Sequence, residues 1–281
     1  MRLTRWPDLW GAANLLAMVL CIAPAFAQTQ QQIDWCTNKS NAYSPDLRIT
    51  GCTAAIRSGR WSGPDVAWAF VGRCWAYTDN GNHDQAFADC NRAIELDPKS
   101  ALAYNNRCWA YIGIGNYDQA IADCTRATEL NPKNALAYDN RCLAYIEQGN
   151  HDRAIADCNQ AIRLDPEFST AYNNRCWARA VAGHELQAAL TDCNEALQLS
   201  PDNAHYLNSR ALVQLKLGAF DAAIADYSAA IAHNPKDAGS LYARGVAKLK
   251  KGDTAGGNAD IVAAKAFRPD VDKVYAGYGV T

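Results

Sequence analysis

The sequence predicts an all-α protein, an array of antiparallel helix hairpins, and three observations predict it. The stretch "ALAYNNRCWAYIGIGNYDQAIADCTRATELNPKN" at 101–134 aligns without a gap on "ALAYDNRCLAYIEQGNHDRAIADCNQAIRLDPEF" at 135–168, a period of 34 residues. Glycine returns at that period as Gly81, Gly115, Gly149, Gly183, Gly218 and Gly252, and proline as Pro98, Pro132, Pro166, Pro201, Pro235 and Pro269. Within a unit the apolar residues fall at helical intervals, Tyr104, Cys108 and Tyr111, then Ala120, Cys124 and Ala127, on either side of a Gly115-Asn116 break. Two amphipathic runs parted by a chain breaker and closed by proline read as a helix hairpin.

Six successive units share the pattern: 67–100, 101–134, 135–168, 169–203, 204–237 and 238–271. One extra residue between Gly183 and Asp192 makes the fourth unit 35 long and is expected to bulge a turn. Tyr104, Cys108, Tyr111, Ala120, Cys124, Ala127 and Pro132 fill, in order, the aromatic, small and alanine slots and the terminal proline of the tetratricopeptide repeat, which the chain resembles. The resemblance implies a right-handed α-solenoid, a superhelix whose first helices line a concave groove. Where leucine is usual in the first helix, every unit here has arginine: Arg73, Arg107, Arg141, Arg175, Arg210 and Arg244.

The ends differ from the array. Arg2 and Arg5 precede the apolar run "LLAMVLCIA" at 15–23 and the small-residue stretch Ala25-Phe26-Ala27, the order of a signal peptide (1–27) cut before Gln28. That run is about half the roughly 20 residues that a membrane span needs. Leu20 before Cys21 argues against a lipid anchor at that cysteine. Residues 28–66 read as a degenerate capping hairpin that starts a helix at Ser44-Pro45-Asp46, as expected of a terminal unit that faces solvent on one side. In the tail, 272–281, Val274, Tyr275 and Tyr278 are expected to cover the last hairpin. Cleavage would take the charge from −2 to −3, with no basic patch for nucleic acid or membrane.

The mature chain keeps ten cysteines, an even number that in an exported protein favours disulfides. Cys108 and Cys124 lie eight residues either side of Asn116 and so stand level in the hairpin. The same arithmetic pairs Cys36 with Cys52, Cys74 with Cys90, Cys142 with Cys158, and Cys176 with Cys193. In the last two units both cysteines vanish together, replaced by Ala211 with Tyr227 and Gly245 with Ile261. No CxxC is present for redox or haem chemistry, and His83, His151 and His184 fall at turns away from the mid-helix thiols, so neither a metal nor a cofactor is expected.

By the same resemblance, the groove stripe includes Gly72, Asn106, Asn140, Asn174, Ser209 and Ala243, with Trp75, Trp109, Leu143, Trp177, Leu212 and Val246 beside them. Asn106, Asn140 and Asn174 could grip the backbone of an extended peptide, with Trp75, Trp109 and Trp177 supplying contact area; packing is the competing role. The arginines are matched by Asp89, Asp123, Asp157, Asp192, Asp226 and Asp260, so pairing across the hairpin or to a neighbouring unit is expected. Nothing gathers a catalytic constellation. The expectation is a non-catalytic protein- or peptide-binding scaffold, periplasmic or secreted and stiffened by disulfides. The alternatives are end-to-end self-association or thiol-redox or metal chemistry.

Overall fold

A computed structural model describes residues 30–38 and 42–280. Residues 1–27, which sequence reads as a signal peptide and which include Cys21, lie outside the described residues, as do Lys39 and Ser40 of the glycosylation-type triplet Asn38-Lys39-Ser40. Contacts divide the chain into two units, Met1–Gly115 and Asn116–Thr281.

In the first unit, α1 (30–37) and α2 (Pro45–Arg57) form the terminal hairpin, and a 3-10 turn at Gly63–Val66 leads to α3 (Ala67–Asp79), α4 (His83–Leu96) and α5 (Ala101–Gly113). The second unit runs through α6 (Tyr117–Leu130), α7 (Ala135–Glu147), α8 (His151–Leu164), α9 (Ser169–Ala182), α10 (Leu186–Leu199), α11 (Ala204–Lys216) and α12 (Phe220–His233). It ends with α13 (Ala238–Lys251), α14 (Thr254–Phe267) and the short α15 (Val271–Gly277). The all-α, tetratricopeptide-type fold expected from the repeat is present. Within the second unit each first helix packs on its own partner, on the preceding second helix and on the next first helix.

Local chemistry sets the boundaries. Ser100, Asn116, Asn150, Asn203 and Asp237 accept backbone N–H bonds at helix starts, which satisfies donors that the first turn leaves free. At the hairpin turns Gly81, Gly149 and Gly218 hold φ of 73°, 82° and 78°, a left-handed conformation that disfavours a Cβ. The extra residue of the fourth unit leaves the helices intact: α10 has the same 14 residues as α8, and the insertion is absorbed at the turn, where Glu185 takes φ 54°. Arg179 Nε, 3.0 Å from Glu185 Oε2, helps hold that uncommon conformation.

The helices pack on very small residues. Ala76, Ala86, Ala110, Ala144, Ala154, Ala178 and Ala189 are fully buried, as are the cysteines between them. This brings the paired cysteines within bridging range, at Cα separations of 4.6 Å for Cys36–Cys52, 5.4 Å for Cys74–Cys90, 5.6 Å for Cys142–Cys158 and 5.5 Å for Cys176–Cys193. Cys108 and Cys124 are each disulfide-bonded and fully buried. In the cysteine-free hairpins Tyr227 fills the space fully buried, and at Gly245 an added Cβ would stand 2.8 Å from Ile261 Cγ1. A small residue opposite a large one thus replaces each bridge.

Candidate binding face

The arginine column is built as a clamp. Nε and Nη2 of Arg73, Arg141, Arg175, Arg210 and Arg244 donate to both oxygens of Asp89, Asp157, Asp192, Asp226 and Asp260, at 2.5–2.9 Å. Their Nη1 atoms turn to the preceding repeat, where Thr53, Thr125, Asn159, Asn194 and Ser228 accept; Arg107 Nη1 likewise donates to Asn91 Oδ1 at 2.7 Å. The guanidinium groups of Arg73, Arg141, Arg175, Arg210 and Arg244 therefore each close their own hairpin and tie it to the one before. Hydrogen bonding to Asp226 raises the Arg210 pKa, against an opposing effect of burial. Sequence reasoning found both charged columns but missed the third member. Its signal was visible: a small polar residue follows the second-helix cysteine or its replacement, as in Cys52-Thr53, Cys90-Asn91, Cys158-Asn159 and Tyr227-Ser228.

The asparagine column is committed in part to the array as well. Asn106 Nδ2 donates to the carbonyl of Val71 at 3.1 Å, and Asn174 Nδ2 to Asp139 Oδ1 at 2.9 Å, each bond reaching 35 residues back. Asn140 is buried. The Asn106 and Asn174 amides, which sequence offered to a ligand backbone with packing as the competing role, bond within the array. Asp139 is itself 3% exposed; burial pushes its carboxyl up to about 7, although the bond from Asn174 acts to lower it. Gly72 fills the asparagine slot of its repeat because the terminal disulfide packs there: a Cβ would meet Sγ of both Cys36 and Cys52 at 3.0 Å.

The three tryptophans differ in surroundings. Trp75 is half-buried beneath the Arg48 guanidinium, 3.8 Å from its ring centroid, while Arg48 also pairs with Asp79 at 2.6 Å. Trp109 is 37% exposed on the first unit. Trp177, on the second, meets the edge of Tyr278 at 5.3 Å. Further along the second unit the matching positions are covered: Ser209, Leu212, Ala243 and Val246 are all buried. Leu212, Ala243 and Val246 share one core cluster with Val271, Tyr275 and Val280 of the tail, which extends past the last hairpin, where sequence placed it, to Trp177.

His151 and His184 border an open depression of about 600 Å³ with Gln148, Asn150, Asp152 and Ala182, and burial lowers the His151 pKa. No cluster of metal-ligating side chains occurs among the described residues, and no described helix is long and apolar enough to cross a membrane.

A family model described as "Tetratricopeptide repeat" matches residues 67–100, 101–134 and 135–168, and one described as "TPR repeat" matches 215–252. Among solved structures the chain is similar to PilF of Pseudomonas aeruginosa (20% identity, TM-score 0.63, 76% of this chain and 99% of that one). It is similar also to PilW, a type IV pilus biogenesis factor (18%, 0.65, 75% and 98%), and to a thermophilic TPR protein of Thermus thermophilus (21%, 0.55, 65% and 99%). At these identities the likeness establishes the fold. No curated protein matches.

Proposed function

We propose, from the premise that this chain is an array of tetratricopeptide repeats, that it is a non-catalytic scaffold that binds proteins or peptides outside the cytoplasm. The observation that carries the location is the burial of all ten mature cysteines as disulfides, since such bonds persist in oxidising compartments. The signal-like order of residues 1–27 points the same way. PilW, similar in fold, is a type IV pilus biogenesis factor, a role in keeping with a scaffold. On the first unit, Trp109 offers exposed aromatic area beside Asn106, which suits a partner segment.

N-terminal sequencing of the protein from an expressing bacterium, with fractionation, tests the location. The mature chain is expected to begin at Gln28 in the periplasm or medium, and recovery of a chain starting at Met1 in the cytosol would overturn it. Cross-linking of the oxidised protein in periplasmic extract, compared with Trp109→Ala, tests binding. Equal capture by both would move the recognition surface elsewhere.

A further inference from the structure

We infer that the C-terminal segment Val271–Val280 is an intramolecular occupant of the first-helix face of the second unit. A partner helix carrying two tyrosines three residues apart binds that face by displacing it. The inference rests on the proposed reading of the first-helix stripe as a binding surface.

A terminal cap would cover the last hairpin alone. This segment instead crosses three. Tyr275 packs on Tyr242 of α13 at 5.5 Å, Gly279 lies against the Lys216 side chain of α11, and Tyr278 meets the edge of Trp177 of α9. The stripe reports the occupancy: Leu212 and Val246 are buried, whereas Trp109, in the same slot on the first unit, is 37% exposed. An aromatic and aliphatic peptide thus already sits on the second unit's part of the first-helix stripe.

The seat is shaped for it. Gly239 lies in the first turn of α13, where glycine lowers helix propensity, and has no left-handed φ to require it. A Cβ there would stand 2.8 Å from the Tyr275 hydroxyl, so the missing side chain makes the room. Tyr275 is 5% exposed and Val280 2%. The tail holds its own shape: the chain reverses at Gly279, φ 74°, while Val280 N–H donates to the Tyr275 carbonyl and Gly279 N–H to that of Ala276. This is a Schellman ending, which sets Val280 back against Tyr275 and keeps the two tyrosines together. Outside the face the segment has an ion pair, Asp272 to Lys265, on the exposed surface. Such a short element, anchored by the side chains of Val271, Val274, Tyr275, Tyr278 and Val280, is suited to exchange with a segment of the same chemistry.

The test uses a fluorescent peptide spanning 268–281 titrated into the oxidised full chain and into Tyr275→Ala/Tyr278→Ala, which keeps the tail but empties the seat. The double variant should bind the peptide at least tenfold more tightly than the wild type, and adding Gly239→Ala should remove that gain. A variant that retains the helical circular dichroism of the wild type yet binds no better overturns the inference. So does a variant that loses its helical signal, because the tail would then be an integral part of the core. Peptide binding without any cross-linked protein partner would leave this inference standing and remove the functional reading; partners without peptide binding would do the reverse.

Discussion

Replacing Asp139 by asparagine should stabilise the protein at pH 8 and leave it little changed at pH 4. The carboxyl is 3% exposed and burial raises it from 3.8 to about 7, about three pH units, or on the order of 4 kcal/mol. Because the folded-state pKa lies above the unfolded one, the protonated form is favoured by folding. The contribution is therefore fully present below about pH 4 and is lost as pH rises through about 7. Asparagine cannot ionise and keeps an oxygen to accept from Asn174, and asparagine already fills the equivalent slots as Asn105, Asn173 and Asn208. Thermal melts of both oxidised proteins by far-ultraviolet circular dichroism, in steps from pH 4 to 8, measure the effect. At roughly 2–4 °C per kcal/mol for a chain of this size, the gap between the two melting temperatures should widen by about 10 °C across that range. Other titrating groups cancel in the difference. A gap that stays constant with pH would show that Asp139 is ionised in the folded state throughout, and would refute the argument from burial.

Non-reducing peptide mapping should return Cys36–Cys52, Cys74–Cys90, Cys142–Cys158 and Cys176–Cys193, with no alkylatable thiol in the native protein. Removing Cys176 and Cys193 together should cost about 3 kcal/mol by loop entropy, measured by urea unfolding. Arg210→Leu should lower stability by about 3 kcal/mol because it leaves the buried Asp226 without its guanidinium partner, and adding Asp226→Leu should recover part of that loss. Gly239→Ala should improve local helix propensity by up to about 1 kcal/mol yet loosen the tail, seen as faster proteolysis after Lys273. Asn174→Ala should destabilise the fold by about 1 kcal/mol or more, since Asp139 would lose its partner.

The repeat made most of the fold legible. A 34-residue period with glycine at one turn and proline at the other admits few arrangements other than stacked hairpins. Equal distances from Asn116 or its counterparts were enough to choose cysteine partners, because two antiparallel helices of uniform rise bring equidistant residues level. The candidate binding stripe was less legible. Asn106 and Asn174 look, in sequence, like free amides one repeat apart; their bonds to Val71 and Asp139 reach across repeats and depend on how closely one hairpin lies on the next.

By itself, then, the sequence determined what is periodic: the hairpins and the arginine and aspartate columns, repeated at every unit, and the bridged cysteines, repeated in all but the last two. Tertiary structure alone decided what happens once. It showed that Glu185 absorbs the extra residue at a turn, that Gly72 makes room for the terminal disulfide, that Asp139 is buried against Asn174, and that the tail passes the last hairpin to reach Trp177. A repeated residue meets the same neighbours in each copy, so its role can be read by comparing copies. A residue that occurs once has no such internal reference, and its partners are set by distances between helices that local sequence does not encode.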